Sequence, residues 1–279
     1  MKEVIVADHA GFCFGVRRAV DAIVYALAAK EEVWSIGMPI HNAQEVARLS
    51  EMGLKVAETV DDIPPGVTVL VRAHGEPRAV FESLREKGLQ VVDMTCPFVR
   101  KAQMYAEKLS SEGFHVVLLG DARHPEIRSI MGYVDGSIEV ITDVSEAENL
   151  SPRPRIALIS QTTQKEENLT EAASVLVRKT KELYVCNTIC RATVERQTAV
   201  RSLSEDAVDG IVIVGGRDSA NTAKLRDIAQ TGDVDVIWIE SSEELDGRWA
   251  EGKDRIGIAA GASTPQWLIN EVRNKIARM

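Results

Sequence analysis

Three times in this chain an apolar, strand-like run ends in a cysteine and turns at once into a helical pattern. Cys13 follows VIVADHAGF and precedes FGVRRAVDAIVYALA. Cys96 follows LQVVDMT and precedes PFVRKAQMYAEKLSS. Cys190 follows LYVCNTI and precedes RATVERQTAVRSLS. The spacings, 83 and 94 residues, are those of a large internal repeat. A strand–loop–helix module used repeatedly predicts an α/β protein. Three copies predict three pseudo-symmetric units, with the thiolates at equivalent points about a threefold pseudo-axis. Convergent thiolates of this kind point to an iron–sulfur or a zinc site.

The repeat extends beyond the cysteines. A second strand in each unit ends in a polar loop: VWSIGMPIHN delivers His41 and Asn42, HVVLLGDARHPE delivers His124 and Glu126, and GIVIVGGRDSAN delivers Ser219 and Asn221. A short third strand then runs into an acidic stretch (VDDI, VSEAE, SEEL). A last strand ends in another polar loop: VTVLVRAHG gives His74, RIALISQTT gives Gln161, Thr162 and Thr163, and RIGIAAGAS gives Ser263. The polar side chains thus sit at carboxyl ends of strands, where open α/β sheets bind ligands. Helix N-termini there offer N–H groups suited to phosphate.

Composition narrows the function classes. A net charge of −9 opposes sequence-independent nucleic-acid binding, which needs basic surface. It does not oppose a phosphate ligand held by a local cluster of histidines and helix ends. No apolar run approaches the ~20 residues of a membrane span, and four widely spaced cysteines do not make a secreted disulfide framework. A cytoplasmic enzyme is the expectation. No GxGxxG follows a strand, so no dinucleotide fingerprint is present.

Each group also has a plainer reading. Cys186, inside the apolar run LYVC, has no counterpart in the other units and is expected in the core. His115 opens a strand and is expected to be structural; His9 also lacks a counterpart. Ser219, Asn221, Thr162 and Ser263 suit helix N-caps as well as a ligand, and the two roles are compatible.

The segments GFCFGVRRAV, IHNAQEV, VRAHGEP, DMTCPFVRKAQ, GDARHPEIRSIMGY, ISQTTQ, NTICRATVERQ, GGRDSANTAKL and GIAAGASTP, in this order, resemble the motif set of the LytB family, 4-hydroxy-3-methylbut-2-enyl diphosphate reductases of the methylerythritol phosphate pathway. The resemblance implies a trefoil of three α/β units around a central iron–sulfur cluster. The expected units are residues 14–96, 97–190, and 191–279 together with 1–13, the first strand completing the last sheet. It implies a [4Fe–4S] cluster on Cys13, Cys96 and Cys190, with one iron lacking a protein ligand. It places the diphosphate substrate among His41, His74, His124, Ser219, Asn221 and Ser263. It makes Glu126 the proton-transfer residue, with Thr162 beside the substrate's hydroxyl. The sequence departs from the family at Ala220, where a second serine is usual, and at Glu195, where many members carry asparagine.

The residue types suit that chemistry. Loss of water from an allylic alcohol needs a proton on the leaving oxygen, which a carboxylic acid can supply. An iron without a protein ligand can bind the hydroxyl as a Lewis acid and pass electrons to it. Two electrons and two protons then yield isopentenyl or dimethylallyl diphosphate. The electrons are expected from a partner such as ferredoxin or flavodoxin. Two rivals differ in class: a non-redox dehydratase or isomerase, marked by independence from a reductant, and a non-catalytic iron–sulfur sensor, which has no use for Glu126 and the histidines.

Overall fold

The computed structural model describes residues 2–29, 32–205 and 208–279. Strands and helices alternate as the repeat predicts. In chain order they are β1 (Glu3–Val6), α1 (Phe14–Ala28), β2 (Val33–Ile36), α2 (Ala43–Glu51), β3 (Lys55–Ala57), β4 (Thr68–Val71), α3 (Arg78–Glu86), β5 (Gln90–Asp93), α4 (Pro97–Ser111) and β6 (His115–Leu119). There follow α5 (Pro125–Met131), β7 (Ile138–Ile141), α6 (Val144–Asn149), β8 (Arg155–Ser160), α7 (Glu166–Leu176), β9 (Glu182–Cys186) and α8 (Arg191–Glu205). The remainder are β10 (Gly210–Val214), α9 (Ala220–Ala229), β11 (Asp235–Ile239), α10 (Gly247–Ala250), β12 (Arg255–Ala260) and α11 (Gln266–Ala277).

The strands form three four-stranded parallel sheets, each with the same order: β3-β2-β4-β5, β7-β6-β8-β9 and β11-β10-β12-β1. Central strands of parallel sheets are covered on both faces and read as unbroken apolar runs, and GIVIV and HVVLL are buried throughout. Alternate residues feed opposite cores. Val116 and Leu118 pack with Ala102 and Ile127 from α4 and α5, whereas Val117 and Leu119 pack with Ala147 and Leu169 from α6 and α7. Likewise Ile211 and Ile213 join Val200 and Leu225, whereas Val212 and Val214 join Leu268 and Val272. Each such aliphatic side chain contributes about 1.5–3 kcal/mol by leaving water.

The acidic stretches after the third strands fold locally. Thr59 with Asp62, and Ser241 with Glu244, form reciprocal capping boxes, and Asp143 accepts the N–H groups of Ser145 and Glu146. Their carboxylates satisfy backbone donors of short helical turns.

Two compact bodies divide the chain. Met1–Arg18, Ile40–Glu51 and Arg191–Met279 form one, which holds the β11-β10-β12-β1 sheet. Ala19–Pro39 and Met52–Cys190 form the other, which holds the remaining two sheets. Among the described residues no helix is long and apolar enough to cross a membrane.

Candidate active site

In every sheet the direction of chain progression reverses between the two central strands: β2 and β4, β6 and β8, β10 and β12. Such a switch point leaves a crevice at the strand carboxyl ends. The six loops that follow these strands are those carrying His41, His74, His124 with Glu126, Thr162, Ser219 with Asn221, and Ser263.

The cysteines come from the edge strands. β1, β5 and β9 each lie at the outer edge of their sheet and lead to Cys13, Cys96 and Cys190. Each cysteine is tied to the neighbouring central strand's loop by the same backbone bond: Cys13 N–H to Ala262 O at 3.0 Å, Cys96 N–H to Ala73 O at 2.9 Å, and Cys190 N–H to Thr162 O at 3.0 Å. All four cysteines are thiols. The three tethered ones are half-buried, ahead of helices of fifteen residues each. Cys186 is 4% exposed in an apolar core, and burial pushes its thiol up to about 11. Three soft sulfur donors on equivalent tethers fit an iron–sulfur cluster; the fourth cysteine is core.

The larger body joins three of the expected residues directly. Glu126 is 2% exposed, at the start of α5. Its Oε1 accepts the Thr162 N–H and its Oε2 accepts the Thr162 Oγ1–H, both at 2.7 Å. Burial pushes the Glu126 carboxyl up to about 7, against the two Thr162 bonds that favour the charged form. Thr162 therefore uses its N–H and hydroxyl on Glu126 and its carbonyl on Cys190. His124 caps α5: its Nδ1 accepts the Glu126 N–H at 3.1 Å. That bond leaves the ring proton of a neutral imidazole on Nε2, a donor for an anion. The His74 ring stands edge-on to His124, with centroids 5.5 Å apart.

The smaller body holds Cys13, His41, Ser219, Asn221 and Ser263. Ser219 caps α9, its Oγ accepting the Thr222 N–H at 3.2 Å, which leaves its own proton free to be donated. Asn221 is buried and its Nδ2 has no partner, as expected of a donor awaiting a ligand. Ser263 follows Ala262, the residue that tethers Cys13. Thr222 does not replace the serine absent at Ala220. Its hydroxyl is enclosed at Gly215 and Gly261, where any Cβ would collide with it. Glu195, on α8, pairs with Arg191 at 2.6 Å and lies 3.8 Å from His9, the sole non-glycine residue with positive φ among those described.

Several supporting residues carry no sequence signal beyond membership of a motif. Gln103 of α4 is fully buried and donates from Nε2 to Ser129 Oγ of α5 at 2.7 Å. A Cβ on Gly75 (φ +73°) would meet both groups, so the His74 loop packs against this bond and requires glycine. Thr188 accepts the Ser160 N–H at 3.1 Å and donates to the Ser160 carbonyl, binding the Cys190 loop to the end of β8. Arg196 of α8 donates to Gly11 O at 2.7 Å and so holds the Cys13 loop.

The LytB protein family model matches residues 4–277. The chain belongs to the LytB family. A 4-hydroxy-3-methylbut-2-enyl diphosphate reductase from Syntrophotalea carbinolica is 41% identical over 278 residues, 99% of each chain. One of the same name from Aquifex aeolicus is 40% identical over 283 residues, 99% of this chain and 96% of the relative. A solved structure of (E)-4-hydroxy-3-methyl-but-2-enyl diphosphate reductase, described as the terminal enzyme of the non-mevalonate pathway, is 39% identical over the full length of both chains, with a TM-score of 0.74. The Plasmodium falciparum reductase structure, 24% identical, shares the fold with a TM-score of 0.92 over 98% of this chain and 87% of its own.

Glu126 also makes stability depend on pH. Its folded pKa lies above the ordinary carboxyl value. Its contribution is therefore fully present below pH 4.5 and is lost as pH rises through about 7. Glutamine at 126 removes this loss. Denaturant titrations at pH 5 and pH 8 are expected to show the Glu126→Gln protein gaining on the wild type by about 3 kcal/mol between the two. A constant difference would mean that the carboxylate is accommodated as easily as the acid.

Proposed function

We propose that the protein reduces (E)-4-hydroxy-3-methylbut-2-enyl diphosphate to isopentenyl and dimethylallyl diphosphate, the last step of the methylerythritol phosphate pathway. The reaction breaks the allylic C–O bond, consumes two electrons and two protons, and releases water. The observation that carries this reading is the buried Glu126–Thr162 pair, an acid titrating near neutrality whose partner is bonded to a cysteine of the proposed metal site. Family membership and the names of full-length relatives support this choice of substrate.

Cys13, Cys96 and Cys190 would hold a [4Fe–4S] cluster. When bound, such a cluster supplies electrons one at a time and an iron, free of protein ligands, with Lewis acidity toward oxygen. The chain's own residues supply the rest. His41, His74, His124, Ser219, Asn221 and Ser263 donate to the diphosphate, and His124 does so through Nε2–H. In its acid form Glu126 gives its proton to Thr162 Oγ1, and the Thr162 hydroxyl proton passes to the leaving oxygen. Burial makes the acid form substantial at neutral pH. The second proton goes to carbon, and its position sets which product forms. A reducing cytoplasm suits a site built from thiols, and an external carrier such as ferredoxin or flavodoxin delivers the electrons.

Protein purified without oxygen should contain iron and sulfide and convert the substrate only with a reductant, at two electrons per product. Dehydration or isomerisation without electron consumption would overturn the reading in favour of non-redox chemistry. His124→Ala should raise the substrate dissociation constant about 10- to 100-fold, the scale of one hydrogen bond to a charged group. Its cluster spectrum should stay unchanged. Normal binding with lost iron would make His124 a ligand instead.

A further inference from the structure

Glu45 stands in the first turn of α2, where the helix dipole favours a negative side chain. Such acids normally face water. Glu45 is instead 1% exposed. Its Oε2 accepts the indole Nε1–H of Trp267 at 2.9 Å, across 222 residues of sequence, and the Arg48 Nε–H at 3.0 Å. Its Oε1 accepts a second Arg48 N–H at 2.6 Å. Its own backbone N–H donates to Asn42 Oδ1 at 2.9 Å, which makes Asn42 the cap of α2. All of these residues lie in the smaller body.

The two partners of the long-range bond hold matching places. Glu45 is four residues after His41, and Trp267 is four residues after Ser263, in the first turn of α11. The bond therefore joins the His41 loop to the Ser263 loop through the helices that leave them. A second set of contacts joins the His41 loop to the Ser219 loop. Gln44 Nε2 donates to the Glu240 carbonyl at 2.8 Å, and Glu240 Oε1 accepts the N–H of Arg217, two residues before Ser219, at 2.7 Å. A Cβ on Gly216 would stand 2.6 Å from the His41 carbonyl, so these two loops meet backbone to backbone.

We propose that Glu45 and Trp267 are positioning residues for diphosphate binding: their hydrogen bond sets the His41 loop against the Ser263 loop before the ligand arrives. The proposal rests on the reading of His41 and Ser263 as diphosphate donors. A loop that must be ordered on binding weakens affinity by the freedom it loses, and a bond that orders it beforehand removes that cost. A donor displaced by about 1 Å also loses much of its hydrogen bond. The charge of the tether fits its place. A bare carboxylate close to a diphosphate donor would repel the ligand, but the two bonds from Arg48 neutralise Glu45 and leave it an acceptor for the indole. A first-turn acid that served only the helix dipole would need neither burial nor a partner on α11.

The test is calorimetric binding of inorganic pyrophosphate to the cluster-loaded protein, with substrate kinetics alongside. Trp267→Phe removes the donor and keeps a ring; Trp267 is 36% exposed, so little packing is lost. Glu45→Met removes the acceptor at similar volume, and Arg48 is exposed enough to turn to water. Each should raise the pyrophosphate dissociation constant about tenfold, the scale of ordering one or two side chains on binding. KM for the substrate should rise in parallel while kcat stays within about twofold, because Glu126 and Thr162 belong to the other body. Glu45→Gln keeps an oxygen for the indole N–H and should restore most of the binding lost in Glu45→Met. Combined in one protein, Glu45→Met and Trp267→Phe should cost no more than either alone, since both break the same bond. Unaltered pyrophosphate binding by the two single variants, with only a lower denaturant midpoint, would overturn the positioning role and leave a contact that serves the fold. Fully additive effects would overturn it as well. Failure of the wild type to bind pyrophosphate would remove the anion site itself, and the positioning role with it, a result visible before any variant is made. If Glu45→Met does not fold, Trp267→Phe against Glu45→Gln decides the matter.

Discussion

Glu126→Gln is expected to fold, keep its cluster and bind substrate, yet turn over at least ~100-fold more slowly, the scale of losing a general acid. Glutamine preserves the shape: its oxygen can accept the Thr162 N–H and its NH2 can donate to Thr162 Oγ1, but it has no acidic proton to give. On the proposed mechanism the working form in the wild type is the protonated carboxyl, which burial holds to about pH 7. Turnover should therefore be flat in mildly acidic buffer and fall as pH rises through about 7, toward a tenfold loss per pH unit. That limb should be absent from the variant. Single-turnover rates between pH 6 and 9, with the cluster reduced beforehand, separate this step from electron delivery. Near-normal turnover by the glutamine protein would show that the proton takes another route.

Serine at 13, 96 or 190 should remove most of the bound iron and sulfide, the visible absorption and the activity, whereas Cys186→Ser should leave all of them. The contrast follows from environment. The three predicted ligands stand half-buried on identical backbone tethers, while Cys186 fills a core position where burial pushes ionisation up to about 11. Metal analysis, absorption and electron paramagnetic resonance of the four variants, prepared side by side without oxygen, decide it. A colourless zinc protein that stays active would sink the assignment.

Much of this was legible in the sequence because it is local. A cysteine ending an apolar run and a histidine or serine ending the next one mark strand ends, and three copies mark three sheets. Placing Cys186 in the core needed only its lack of a counterpart. Other features arise from contacts between distant segments, which periodicity does not encode. The cysteine-bearing strands are edge strands, a matter of strand order. The Glu126–Thr162 bonds span 36 residues, and the near-neutral titration of Glu126 comes from its burial in the folded chain. Gln103 reads as an ordinary helix residue until Ser129 and Gly75 are brought against it.

The β1–β12 pairing has a consequence for how the protein is made. Glu3 lies opposite Arg255, 252 residues later. At ribosomal speeds of about 5–20 residues per second, the first strand waits on the order of tens of seconds for a partner that has not yet been synthesised. Cys13 waits with it, since its tether is the carbonyl of Ala262. The other two cysteines have their tethers within 30 residues earlier in the sequence, long before Ala262 is made. Topology therefore orders maturation. Two of the proposed ligand loops can be set early in translation, whereas the third waits for Ala262, so the three proposed thiolate ligands cannot all be offered to a metal until synthesis has passed that residue.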